Sequence, residues 1–348
     1  MAQSTILALI GIFALAVAFD YINGFHDTAN AIATSVSTRA LKPERAILLS
    51  AAANFVGALV FGTAVAGTIG GGIVQDTMIL SDGSVVLAAA LVGAISWNLI
   101  TWAAAIPSSS SHALIGGLIG AAIASAGTGA VQWGNFAAKV VVPLVSSPIL
   151  GLVIGVAAMI LLLNVFAHAN PRHMNERFRR LQIVSATYMA LSHGSNDAQK
   201  TMGIMTLALF NANAIHDKTV PTYVILLAAT AMSVGTAVGG WRIMRTMGQR
   251  VVKLDPVHGF AAETTAASII LGASHFGMPV STTHVISSAI MGVGTSENPN
   301  AVRWSVARGI VTAWVLTIPC AGAIAALAYF ALQLLSGPIG ATLHFFGV

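Results

Sequence analysis

Long uninterrupted apolar runs constrain this chain more than any other feature of its sequence. Residues 46–69, 140–166 and 311–335 each reach the roughly 20 residues that an α-helix needs to cross the hydrocarbon core of a bilayer. Only 8% of the residues are charged and the mean hydropathy is +0.83, whereas soluble domains carry about 25% charged residues. Because the runs do not alternate, they predict helices rather than a β-barrel. We therefore expect an all-α, polytopic membrane protein.

Two segments interrupt this pattern with polar residues. Residues 20–30 read DYINGFHDTAN and residues 192–200 read SHGSNDAQK. An ionised side chain at the bilayer centre costs about 2.5–3.5 kcal/mol, so it normally faces a protein interior or a polar cavity. We expect a broken helix at each glycine, with carboxylate and amide oxygens that suit Na⁺ or an acid that takes up a proton. The predicted cation ligands are Asn23, Asp27, Asn30, Asn196, Asp197 and Gln199.

A motif of proline, hydroxyl residues and histidine also occurs twice. Residues 107–112 read PSSSSH and residues 279–284 read PVSTTH. Proline disfavours helix in the residue before it, and Ser or Thr after it suits the N-cap of a new helix. The free N–H groups of such a helix start attract anions. Two facing starts would therefore hold one tetrahedral oxyanion, and the predicted ligands are Ser109, Ser110, Ser111, Ser281, Thr282 and Thr283.

Four further residues are candidates for coupling or gating. Glu263 is an acid in the second half, and its counterpart by alignment in the first half is Leu91. His112 and His284 either carry protons, since histidine titrates near neutral pH, or bond to the hairpin backbone as neutral rings. Lys200 is either a counter-ion to Asp197 or a contact of the substrate.

The recurrence of both motifs in the same order predicts an internal duplication. Each half is expected to contain a broken helix, a long helix, a re-entrant helical hairpin and a second long helix. Lys and Arg cluster at residues 39–45, 172–180, 242–253 and 303–308. Short basic loops stay cytoplasmic, which places both termini outside and inverts one half relative to the other, as in many secondary transporters. The predicted organisation is a first repeat at 1–167, a basic cytoplasmic linker at 168–180 and a second repeat at 181–348.

With these motifs the chain resembles the inorganic phosphate transporter (PiT) family of cation-coupled symporters. The resemblance implies import of inorganic phosphate with Na⁺ or H⁺ by alternating access, across the inner (plasma) membrane and without a cofactor. It also implies that the hairpin tips hold phosphate and that the Asp/Asn segments hold the cation. Asn54 stands where some relatives have an acidic residue, so the coupling ion stays open. The motifs that carry the resemblance are residues 24–31, 97–102, 107–112, 193–200 and 279–284.

Other functions remain as alternatives on the sequence alone. A permease for sulfate or another oxyanion would use the same architecture, and a channel would conduct without a coupling cation. An intramembrane Ser/His hydrolase is a distant alternative, because its motif would be duplicated in opposite orientations. No catalytic residue is predicted, and the chain is not expected to be an enzyme or to bind nucleic acid despite its net charge of +5. The expected partners are phosphate, a cation and lipid, and a homodimer is left open.

Overall fold

The structure, a computed structural model, describes residues 3–345, with the side chains of all of these except 76–82, 171, 297 and 336–345. Its regular elements between these limits are helical, which confirms the expected all-α class. Among residues 3–345, five helices are long and apolar enough to cross a membrane, or six if one bent pair counts as a single span. The α-helices are α1 Gln3–Ser37, α2 Pro43–Val60, α3 Ala64–Gly71, α4 Asp76–Ala103, α5 Ser110–Ala126, α6 Trp133–Phe136, α7 Val142–Val165, α8 Pro171–Asn211, α9 Thr222–Val238, α10 Trp241–Arg245, α11 Pro256–His275, α12 Thr282–Glu297 and α13 Trp304–Phe345.

The helices α1 and α8 are continuous, so the breaks predicted near Gly24 and Gly194 are wrong. Both glycines instead lie where two helices cross closely. A Cβ at Gly24 would lie 2.8 Å from the backbone nitrogen of Thr236, and one at Gly194 would lie 2.5 Å from the Cα of Asn54. The missing side chain therefore permits close helix packing, as small residues do in membrane proteins, and leaves the helical hydrogen bonds intact.

The breaks occur one helix later in each half. The predicted long helix at 46–69 divides into α2 and α3. In the second half, α9 and the helical segment Trp241–Arg250, which begins with α10, meet with a 59° bend. Gly62 and Gly239, which follow α2 and α9, have φ values of 83° and 81°. Glycine adopts this left-handed conformation without the steric cost of a Cβ, which explains why the chain turns there.

Most of the predicted linker at 168–180 is helical. Pro171 occupies the first turn of α8, and the side chain of Asn170 accepts a hydrogen bond from the backbone of Arg172 at 3.0 Å. Proline is tolerated at this position because the first N–H groups of a helix have no intrahelical partner. The basic segment therefore continues directly into the helix that carries the second polar motif.

Several contacts occur twice, with the two halves exchanged. The hydroxyl of Thr68 donates to the carbonyl of Gly277 at 2.7 Å, and that of Thr246 donates to the carbonyl of Ala105 at 3.1 Å. In each case a short helical segment after a glycine break contacts the turn of a hairpin. The hairpin of α4 and α5 packs on α13, and the hairpin of α11 and α12 packs on α7. Each hairpin thus lies against the last long helix of the other half.

Candidate functional site

The tips of the two hairpins meet in the buried interior. The hydroxyls of Ser109 and Ser281 are N-caps, and each accepts a hydrogen bond at 3.2 Å from the backbone nitrogen of the histidine three residues later. The rings of those residues, His112 and His284, lie 4.8 Å apart, and His284 also stacks on Trp314 at 4.0 Å. The first turns of α5 and α12 therefore lie close together, as the motifs predict.

Lys200 is buried at the junction of the two tips. It extends from α8 and is only 1% exposed. Its Nζ donates hydrogen bonds to the hydroxyl of Ser111 on one tip and, at 3.2 Å, to the carbonyl of Val280 on the other. A third bond goes to Oδ1 of Asp197. One ammonium group therefore connects both hairpin tips to a carboxylate.

Asp197 is surrounded by groups that neutralise or bond to its charge. Besides Lys200, the hydroxyl of Thr282 donates to Oδ2 at 3.2 Å. Nε2 of His193 also lies 3.2 Å from Oδ2. A buried charge is tolerated when it is paired and hydrogen-bonded, and these partners meet that requirement.

Asp27, on α1, is the second buried carboxylate near the hairpin tips. Its Oδ1 is 2.6 Å from Nδ1 of His26, whose Nε2 is 3.0 Å from the hydroxyl of Thr101. One ligand atom each from Asp27, His193 and Asp197 lie within 4.8 Å of one another, and all three residues are buried. This cluster, which we call the carboxylate cluster, is small enough to share one cation.

The predicted anion ligands occupy different positions at the junction. Ser109 and Ser281 are engaged as caps. The hydroxyl of Ser110 is buried and has no hydrogen-bond partner within the described part of the chain. Nδ2 of Asn30 donates to Thr283 at 2.9 Å and to Thr282 at 3.4 Å, so α1 contacts the tip of α12 directly.

The remaining predicted cation ligands are not equivalent. Oδ1 of Asn23 and Oδ1 of Asn196 are buried without a partner among residues 3–345, whereas Nδ2 of Asn196 donates to Ser274 at 2.7 Å. Both polar groups of Gln199 are engaged, because its Oε1 accepts from the backbone of Val65 at 2.8 Å and its Nε2 donates to a carbonyl one turn earlier. Gln199 therefore holds the first turn of α3 against α8.

Glu263 lies in a second polar cluster, away from the hairpin tips. It is 0% exposed on α11. Its carboxylate accepts from Thr34 at 2.5 Å, from Gln182 at 3.2 Å and from Ser185. Gln182 in turn accepts from Thr38 at 2.7 Å. We call these five residues the Glu263 cluster.

Sequence reasoning missed most partners of these carboxylates. A signal was present for Thr34, which follows Asp27 by seven residues and Asn30 by four, a spacing that places all three on one face of α1. Gln182 and Ser185 likewise share a face of α8. His26 and His193 stand inside the quoted motifs, but their role as carboxylate partners depends on helices far away in the sequence.

A buried junction of this kind, inside a bundle of apolar helices, defines a membrane transport protein for a small charged solute. It joins two helix N-termini, an ammonium group and two carboxylates, and the hydroxyls of Ser109 and Ser281 cap the two hairpin helices. The profile of the Phosphate transporter family matches residues 23–325. The chain belongs to this family.

Individual relatives agree with the family match. A probable low-affinity inorganic phosphate transporter of Bacillus subtilis is 51% identical over 92% of this chain and 96% of its own length. A protein of the same description from Rhizobium meliloti is 45% identical over 94% of this chain and 97% of its own. A solved structure described as "The sodium-dependent phosphate transporter" superposes with a TM-score of 0.86 at 26% identity, covering 94% of this chain and 99% of that one.

These similarities settle several expectations. The chain is a multi-pass membrane protein and a phosphate transporter, not an enzyme. The hydrolase alternative is thereby excluded, and the activity is phosphate transport.

Proposed function

We propose that the chain imports phosphate together with Na⁺ by alternating access, and that Lys200 couples the two solutes. The observation that carries this proposal is the position of the Lys200 ammonium, which contacts both hairpin tips and Asp197 at once. The similar solved structure is that of a sodium-dependent transporter, which supports Na⁺ as the cation.

Phosphate binds between the hairpin tips. The first turns of α5 and α12 offer backbone N–H groups and the positive ends of two helix dipoles. Ser110, Ser111, Thr282 and Thr283 supply hydroxyl donors beside them. The ammonium of Lys200 lies at the same junction, so it adds a positive charge for the anion.

The cation binds in the carboxylate cluster. Carboxylate and amide oxygens are hard ligands, of the kind that Na⁺ requires, and Asp27 and Asp197 lie close enough to share one ion. The buried, unpartnered oxygens of Asn23 and Asn196 offer further ligands from α1 and α8.

Coupling follows from competition for Asp197. Without a bound cation, Asp197 neutralises Lys200, and the ammonium is unavailable to an anion. When Na⁺ enters the carboxylate cluster, it takes over the charge of Asp197 and releases Lys200 toward phosphate. Each solute then favours binding of the other, as reciprocal linkage requires.

The two halves act as inverted repeats, 1–167 and 181–348, that rock around this junction. The contacts that recur with the halves exchanged support this arrangement, in particular the paired bonds from Thr68 and Thr246 to the hairpin turns. The basic clusters support an orientation with the N- and C-termini outside, by the positive-inside rule. A phosphate ion that still carries a proton can donate a hydrogen bond to an aspartate oxygen, whereas sulfate cannot, which favours phosphate as the substrate.

Uptake of radiolabelled phosphate into proteoliposomes tests the proposal. Wild-type protein should take up phosphate only with an inward Na⁺ gradient, and excess sulfate should not compete. Lys200→Gln should raise the apparent KM for phosphate roughly tenfold or more, since a charge-assisted hydrogen bond contributes about 1.5–3 kcal/mol, and that KM should respond little to Na⁺, because the ammonium that Na⁺ would release is absent. Asp197→Asn should also transport with little response to Na⁺. Lys139→Gln, an exposed lysine far from the junction in sequence, is the matched control.

Each single variant leaves a buried charge without its partner. The double variant Asp197→Asn/Lys200→Gln removes both charges and serves as the folding control. The coupling role of Lys200 is refuted if Lys200→Gln leaves the KM for phosphate unchanged, or if Asp197→Asn responds to Na⁺ as the wild type does. Uptake driven by a pH gradient alone would show that the coupling ion is H⁺ rather than Na⁺.

A further inference from the structure

We propose a second anion site at the basic end of the bundle, where phosphate binds after leaving the hairpin tips. This inference rests on the proposed function above. The site is a cavity of about 520 Å³. It lies between the end of α1, the beginning of α8, the segment that leads into α11, and Arg303. We call it the basic vestibule.

The charge of the basic vestibule is strongly positive. Arg39, Arg179, Lys253 and Arg303 line it, with Asp255 as the acidic residue among them. All five side chains are exposed, and none of the four cations forms an ion pair with any described residue. Cations that lack a protein partner create a positive potential that attracts small anions.

A line of polar side chains connects the hairpin tips to the basic vestibule. On α1, Asn30 contacts the tip of α12 and Thr34 contacts Glu263, and Thr38, directly after α1, lines the vestibule. The eight residue steps from Asn30 to Thr38 span about 12 Å at 1.5 Å per residue. Thr38 also bonds to Gln182, so the Glu263 cluster continues to the vestibule wall.

The other half has no such line at the matching positions. When Asp27 is aligned with Asp197, Ile204 corresponds to Thr34 and Ala208 to Thr38. The residues that correspond to the whole Glu263 cluster belong to one apolar core or pack against it. At these aligned positions the described chain is therefore polar on the basic side of the junction and apolar on the opposite side. The residues that replace the Glu263 cluster are Ile12, Leu15, Leu91, Ile204 and Ala208.

The ligand chemistry that fits is a phosphate group of small size and high charge density. Such a group reaches the vestibule either as free phosphate or as the headgroup of an anionic lipid. We assign it to free phosphate, because the vestibule is the end of the polar line from the transport site. In this position the basic vestibule lowers the free energy of phosphate at the cytoplasmic mouth. Binding there therefore competes with the return of phosphate to the hairpin tips.

The test compares phosphate exchange in inside-out and right-side-out membrane vesicles. The variant Arg179→Gln/Lys253→Gln/Arg303→Gln removes three charges from the vestibule. Arg39 is retained, so the variant removes three of the four charges that line the cavity. The matched control Lys42→Gln/Arg45→Gln/Arg172→Gln removes three exposed charges from the same predicted face outside the cavity.

The vestibule variant should raise the half-saturating phosphate concentration roughly fivefold in inside-out vesicles, as for three charges acting through water over about 8 Å. It should leave right-side-out vesicles unchanged. The difference from wild type should shrink at about 0.5 M KCl because salt screens exposed charges. The control variant should behave as wild type in both preparations.

Three results overturn the proposal. One is an unchanged half-saturating concentration in inside-out vesicles, and another is an equal change in both orientations. The third concerns purified protein in neutral lipid. If the vestibule variant differs from wild type only after an anionic lipid is added, the cavity binds a lipid headgroup rather than free phosphate. If wild-type vesicles exchange no phosphate at all, the proposed transport function fails instead, so the two failures are distinguishable.

Discussion

Replacing Glu263 by leucine should destabilise the protein by at least about 3 kcal/mol. The carboxylate accepts hydrogen bonds from Thr34, Gln182 and Ser185, and its side chain is fully buried. Leucine accepts none of them, and each buried polar group left without a partner costs about 1–3 kcal/mol. The shape of leucine is acceptable, because Leu91 occupies the aligned position of the first half. The loss of stability therefore measures the hydrogen-bond donors left without an acceptor rather than a steric clash.

The matched variant Glu263→Gln should lie within about 1 kcal/mol of the wild type. Its Oε1 can still accept from Thr34 and Gln182, and the hydroxyl of Ser185 can rotate to accept from the new amide, since a hydroxyl both donates and accepts. Glutamine removes the negative charge, however. If that charge attracts the coupling cation, the half-saturating Na⁺ concentration for phosphate uptake should rise several-fold in a protein of normal stability.

Two assays on the same preparations separate these effects. Thermal unfolding in detergent reports stability, and proteoliposome uptake at a series of Na⁺ concentrations reports coupling. A leucine variant as stable as the wild type would refute the assignment of the three hydrogen bonds. A glutamine variant with an unchanged Na⁺ response would leave Glu263 a structural residue.

Two further predictions concern helix packing around the junction. Gly194→Ala should destabilise the protein by several kcal/mol in thermal unfolding, because the new Cβ would meet the backbone of Asn54. Gly67→Ala, which meets nothing within 4 Å on a helix, should instead be neutral or stabilise by up to about 1 kcal/mol, and equal effects of the two substitutions would contradict the close crossing. Asn30→Leu should raise the apparent KM for phosphate, because it removes the contact from α1 to Thr283, and an unchanged KM would show that the tip is positioned without it.

The sequence predicted the hairpin tips well because their chemistry is local. A proline followed by hydroxyl residues determines where a helix begins, and Ser109 and Ser281 cap α5 and α12 as expected. The all-α membrane class also follows from the composition together with the long uninterrupted apolar runs. The family resemblance, based on five short motifs, is confirmed by the match over residues 23–325.

The positions of the helix breaks could not be predicted in the same way. Gly24 and Gly62 look equivalent in the sequence, yet the first permits a close helix crossing and the second a left-handed turn. The difference depends on which backbone lies opposite each glycine, and that is a property of the tertiary structure. The partners of Glu263 were missed for the same reason, since Thr34 and Gln182 come from helices distant in the sequence.

The asymmetry between the halves makes a final prediction about solvent access. Thr38 and Ala208 are aligned positions, but Thr38 lines the basic vestibule and Ala208 lies in the apolar core. In a Cys320→Ser background, which removes the single native cysteine, Thr38→Cys should react with a small water-soluble thiol reagent and Ala208→Cys should not. An anionic reagent should label position 38 faster than a cationic one of the same size, since the cavity is positive. Equal labelling at 38 and 208 would mean that both sides of the junction admit water alike, and a preference for the cationic reagent would contradict the charge assigned to the vestibule.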